Sequence, residues 1–93
     1  MTPNQIFDGF SEQIMRCHLE SASEGVEQPI LRSVMTRKTR DQFLRHEMFQ
    51  RTYSIHCATP VVGCDFEFRG SYVTIVPGED YFFHTRCVNL PTP

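Results

Sequence analysis

The strongest constraint on this chain lies in residues 53 to 88, where short β-branched and aromatic runs alternate with residues that reverse a backbone. Thr59-Pro60 ends the run Tyr53-Ser54-Ile55-His56-Cys57, and Arg69-Gly70 divides Phe66-Glu67-Phe68 from Tyr72-Val73-Thr74-Ile75-Val76. Pro77-Gly78 then precedes Tyr81-Phe82-Phe83-His84. Proline presets φ for the second position of a turn, and glycine supplies the positive φ that other residues resist. Hairpins are expected between such runs, giving a C-terminal antiparallel β-meander of about four strands. Side chains alternate along a strand, so Tyr53, Ile55 and Cys57 share one face, as do Cys64, Phe66 and Phe68. In the last run Tyr81, Phe83, Thr85 and Cys87 point to the core, while Phe82, His84, Arg86 and Val88 point to solvent or to a partner.

The first half reads as two helices around one short strand. Thr2 and Gln5 have capping-box spacing with Pro3 at the first helical position. From there Ile6, Phe7, Phe10, Ile14 and Cys17 fall on one helical stripe at 100° per residue. Ser21 to Gly25 reads as helix end and loop, with Gly25 in the position that ends a helix. Pro29 to Met35 is the expected strand, and Thr36 or Thr39 opens a second helix through about Gln50. The fold class is therefore α+β.

At 93 residues the chain has room for one domain with one core. That domain covers residues 1–93, with 89–93 a loose tail. Apolar residues at 40% and charged residues at 22% fit a globular chain rather than a disordered one. Apolar runs of only a few residues exclude a membrane-spanning helix. Met1 to Gln5 lacks a basic and then apolar leader, so a cytoplasmic location is expected. Cys17, Cys57, Cys64 and Cys87 then read as free, buried thiols, with a Cys57–Cys64 bridge across one turn as the alternative.

Chemistry fares poorly in this frame. Cys57, Cys64, His84 and Cys87 are a ligand set that zinc accepts, but the six residues between Cys57 and Cys64 are too many for a tight metal knuckle. His84 and Cys87 also fall on opposite faces of an extended strand. Cys17-His18 and His56-Cys57 are neighbours whose side chains diverge, and Asp65 and Glu67 read as strand-face charges. No nucleophile elbow, phosphate loop or metalloprotease motif occurs. A protein that is not an enzyme, with no metal and no cofactor, is expected.

Charge is segregated although the net is only −2. Asp8, Glu12, Glu20, Glu24 and Glu27 dominate residues 1–28, and Arg32, Arg37, Lys38, Arg40, Arg45 and Arg51 dominate 32–51. A nucleic-acid surface would use Arg37, Lys38, Arg40 and Arg45 on the second helix. On the helical wheel Lys38 and Arg45 lie on one side while Arg37, Arg40 and Arg51 lie with Leu44 and Met48, so the basic residues form no clean stripe.

Ser33-Val34-Met35-Thr36 leading into a helix, with Phe68-Arg69-Gly70-Ser71-Tyr72-Val73-Thr74-Ile75-Val76-Pro77 after it, resembles a strand, helix and Gly-initiated strand of bacteriophage proteins. These include the C-terminal part of HK97-type capsid subunits and small phage proteins of unassigned role. The resemblance implies a small phage or mobile-element accessory protein that acts by binding, in the virion or as an inhibitor of a host or defence protein. The chain lacks the long arm, spine helix and extended loop of a capsid subunit, so shell formation is not implied.

Two apolar sets lie off the expected core: Met15 with Leu19 on the first helix, and Phe82 with Val88 beside His84 on the last strand. They are the expected contacts for another protein or a second copy of the chain. In the alternative arrangement the second helix covers the far side of the sheet through Phe43, Leu44 and Met48, and only Met15 and Leu19 remain exposed.

Overall fold

The computed structural model describes residues 1–47 and 63–91. The strand expected at Tyr53–Cys57 with its Ile55, Met48 of the alternative cover for the far side of the sheet, Arg51, and one half of the Cys57–Cys64 bridge all lie outside those residues.

Helix α1 spans Pro3–Ser23. It begins on the expected capping box, with the Gln5 amide donating to Thr2 Oγ1 at 3.2 Å and the Thr2 amide donating to Gln5 Oε1 at 2.9 Å. Strand β1 spans Leu31–Thr36, and α2 spans Arg37–Phe43 with Thr36 as its N-cap. Strands β2 (Phe66–Phe68), β3 (Ser71–Val76) and β4 (Phe83–Cys87) complete an α+β fold. Helix α2 stops at Phe43, well short of the expected Gln50.

The strands form one mixed sheet in the order β2-β3-β1-β4. Strands β2 and β3 pair antiparallel across the Arg69-Gly70 hairpin, as the turn residues imply. The meander breaks there, because β1 inserts between β3 and β4, parallel to the first and antiparallel to the second. Pro77-Gly78 thus opens a crossing past the end of β1 rather than a hairpin. The crossing is close: a Cβ on Gly78 would lie 2.7 Å from Thr36 Cγ2. Turn residues dictate that the chain reverses, but not which strand it lies beside afterwards.

Both helices lie on one face of the sheet. The α1 residues Ile6, Phe7, Phe10 and Ile14 are buried with Leu31, Met35, Phe68 and Val73 from the strands and Phe43 from α2. The Phe68 ring sits at the centre, 5.4 Å from Phe7, 5.5 Å from Phe10 and 4.9 Å from Phe43, edge-on to two of them and stacked on Phe10. Partly buried Phe66, Tyr81, Phe83 and Cys87 pack around this centre. Faces alternate along β4 as expected, with Thr85 buried and His84 and Arg86 exposed.

Polar groups on the inner face are satisfied by one another. The Ser33 hydroxyl lies 2.6 Å from those of both Ser71 and Thr85, tying the three strands together. A second relay runs from the Phe82 amide to Thr39 Oγ1 (2.8 Å), on to Thr36 Oγ1 (2.7 Å) and finally to the Asp80 carbonyl (2.6 Å). It latches the β3–β4 connection onto the start of α2. Asn89, at the start of the expected tail, accepts from the Ile30 amide and donates to the Gln28 carbonyl. No described helix is long and apolar enough to cross a membrane.

Candidate functional site

Residues 11, 14, 15, 18 and 19 follow the i, i+3, i+4, i+7, i+8 spacing that places them on one flank of α1. Ser11, Ile14, Met15, His18 and Leu19 form one wall of an open groove of about 240 Å³, and Arg69 from the β2–β3 turn forms the other. Small-molecule sites run from about 300 to 1,000 Å³, so this groove suits one or two side chains rather than a cofactor. Met15 and Leu19 are 61% and 66% exposed at its edge. Two large apolar side chains thus stand open beside a concavity.

Arg69 gives the groove its charge. It is the only described non-glycine residue with positive φ, at 49°, in a turn completed by Gly70 at 85°. A side chain in that region costs on the order of 1 kcal/mol. Its guanidinium carbon lies 5.4 Å from the ring centres of both Phe7 and Phe68. Cation–π attraction holds the group over those aromatic faces, and no described carboxylate pairs with it. His18 lies against the same turn, its Nε2 3.5 Å from where a Cβ on Gly70 would stand. Within the groove wall, the buried Ser11 hydroxyl has no hydrogen-bond partner among the described residues.

The structure separates the expected protein-binding residues into two places. Met15 and Leu19 belong to the groove, whereas Phe82, His84 and Val88 are exposed on the sheet face turned away from both helices. Helix α2 does not cover that face, because Phe43 is buried in the same core as Phe68 and Phe10, and Phe82 is 50% exposed. Arg69, His18 and Ser11 were missed as site residues. The spacing of 11, 15, 18 and 19 carried part of that signal, but the approach of Arg69 is a tertiary fact.

The basic set on α2 is not assembled as a surface. Lys38 Nζ sits 4.7 Å over the Tyr81 ring, and Arg40 forks onto Asp41 at 2.9 and 3.1 Å. Arg37 and Arg45 remain exposed on and just beyond a helix of seven residues.

Cysteine and carboxylate chemistry disperses as well. Cys17 Sγ donates to the Thr85 carbonyl at 3.4 Å while His18 faces the Arg69-Gly70 turn, so the two form no pair. Asp65 accepts the Ile75 amide at 2.7 Å, a structural role. His84 is exposed on one sheet face and Cys87 packs against the core on the other. No group of three or more His, Cys, Asp or Glu able to hold a metal occurs among the described residues. Burial, then the charges of Glu20 and Cys87, raise the Cys17 thiol above its ordinary value, with Arg16 opposing. A raised thiol pKa means less thiolate, the reactive form, at any given pH. Iodoacetamide at mildly alkaline pH should therefore modify Cys17 more slowly in the folded protein than in urea. Peptide mass spectrometry reads the difference, and equal rates would contradict it.

Comparison of the chain with protein-family models, with curated proteins and with solved structures finds no match.

Proposed function

We propose that this is a non-enzymatic protein-binding module whose α1 groove receives an apolar side chain flanked by a carboxylate on a partner protein. One observation carries the reading: Met15 and Leu19 stand open on a groove whose opposite wall is the Arg69 guanidinium, which pairs with no carboxylate among the described residues. The apolar wall supplies burial, at about 25 cal/mol per Å². Arg69 supplies register and selects the acidic neighbour. A role as a phage-encoded virion accessory, or as an inhibitor of a host or defence protein in the cytoplasm, belongs to the same proposal and is supported by the resemblance of residues 33–36 and 68–77.

The test selects peptides on the immobilised protein from a random displayed library. Binders should carry Leu, Ile, Met or Phe beside Asp or Glu, and Met15→Asp with Leu19→Asp should abolish their binding. The circular dichroism spectrum should be unchanged and the melting temperature nearly so, because both positions are solvent-exposed. Arg69→Gln should remove the acidic preference and keep the apolar one. Binders indifferent to all three substitutions would overturn the reading. Light scattering that shows a homodimer dissociated by Met15→Asp with Leu19→Asp would replace the partner protein with a second copy of the chain.

A further inference from the structure

We propose that the outer face of the sheet is a second binding surface, for single-stranded nucleic acid, on which Arg32 and Arg86 hold the phosphodiester backbone and Tyr72 stacks on a base. Register carries the inference. Arg32 and Arg86 are Cα partners across β1 and β4, and both alternate to the outer face. Side chains in direct cross-strand register start about 5 Å apart, and like charges so placed destabilise a sheet. No described acidic group relieves them: the ion pairs among the described residues are Arg16–Glu12 and Arg40–Asp41. Glu67 shares the row but lies on β2, two strands from Arg32, or about 9 to 10 Å. The pair is thus a cationic fork that an external anion would complete, and guanidinium geometry matches the oxygens of a phosphate bidentately.

The neighbours decide which anion. Tyr72 on β3 is the Cα partner of Arg32 on its other side and is partly exposed. In the next row Thr74, Val34 and His84 are partners across the same three strands, and the half-exposed Phe82 follows beyond His84. Aromatic faces beside arginines on an open surface take successive bases by stacking while the cations track the backbone. A duplex presents its base edges in grooves that must be entered by a helix or a two-stranded ribbon. Among the described residues this face is an open four-stranded sheet with no such projection, so the single strand is the form that fits. The surface differs from the Arg37, Lys38, Arg40 and Arg45 set in both element and face.

The experiment is fluorescence anisotropy with a labelled oligothymidylate of about 12 nucleotides, a length within the usual site size of one such platform. Two phosphates neutralised on a single strand should give a slope of about −1.4 in log affinity against log salt. Arg86→Gln should halve that slope, Tyr72→Ala should weaken binding about 5- to 150-fold, and Arg32→Glu with Arg86→Glu should abolish it with the circular dichroism spectrum intact. Arg37→Ala with Lys38→Ala, and Met15→Asp with Leu19→Asp, should leave it unchanged. Four results would each overturn the proposal: no binding by the wild-type protein at low salt, equal affinity for a duplex of the same length, a slope unmoved by Arg86→Gln, or displacement of the oligonucleotide by a glutamate-rich peptide at lower concentration than by unlabelled oligothymidylate. Because Arg86 is exposed, its single substitution reads the outcome even if the double reversal fails to fold.

Discussion

Phe68→Ala should destabilise the protein by about 3 to 5 kcal/mol, seen as a large fall in the urea midpoint. The side chain is fully buried and touches three other rings, from α1 and α2. Truncation opens a cavity under β2 lined by rings of two other elements, α1 and α2. Such a cavity collapses only if α1, α2 and β2 all move, and α1 is held over its length by Ile6, Phe10 and Ile14. Loss of the ring also removes one of the two aromatic faces under Arg69, so the groove should lose definition along with stability. A total stability of about 5 to 15 kcal/mol leaves little reserve after such a loss. An unchanged midpoint would mean that Phe68 does not face the core.

Thr39→Val should cost about 2 to 4 kcal/mol, although the two side chains have nearly the same shape. The hydroxyl is the middle of the relay from the Phe82 amide to the Asp80 carbonyl, and Thr39 is wholly buried. Without it the Phe82 amide loses its acceptor, and a buried donor without one costs about 1 to 3 kcal/mol. A methyl group would also stand where the amide nitrogen approaches to 2.8 Å, too close for carbon, so the connection must shift. Thr39→Ser keeps the hydroxyl and should lose only about 1 kcal/mol for the missing methyl. Hydrogen exchange at the Phe82 amide separates the outcomes: fast in the valine variant, protected in the serine variant. Equal stability of the two would remove the relay from the account of the fold.

Local rules made part of this molecule legible and long-range ones did not. The α1 capping box, its apolar stripe, the Arg69-Gly70 hairpin and the alternation of Tyr81 to Val88 each depend on residues within a few positions of one another. They appear as expected. The insertion of β1 between β3 and β4 depends on Ser33 meeting Ser71 and Thr85, hydroxyls far apart in sequence that look like surface residues when read singly. The early end of α2 follows the same logic, because Phe43 turns into a core whose position is set by α1 and β2. Of the two surfaces, Met15 and Leu19 were visible as residues off the stripe. Arg69 was visible only as half of a turn, and the Arg32–Arg86 pairing required the strand order.

The position of β1 also sets when the molecule can fold. Leu31 pairs with Ser71 and Thr36 with Val76, each pair forty positions apart, and β4 joins β1 from further along still. Closing loops of that length before any contact rewards them slows folding. On a ribosome the consequence is a waiting time, since α1 is complete at residue 23 but the sheet it covers is not complete until residue 87. At about 5 to 20 residues per second the gap is roughly 3 to 13 s. Until β2 to β4 are made, Ile6, Phe7, Phe10 and Ile14 have only Leu31, Met35 and Phe43 of their core partners to pack against. The apolar stripe of the first helix is therefore the part of a newly made chain that waits longest for its full cover.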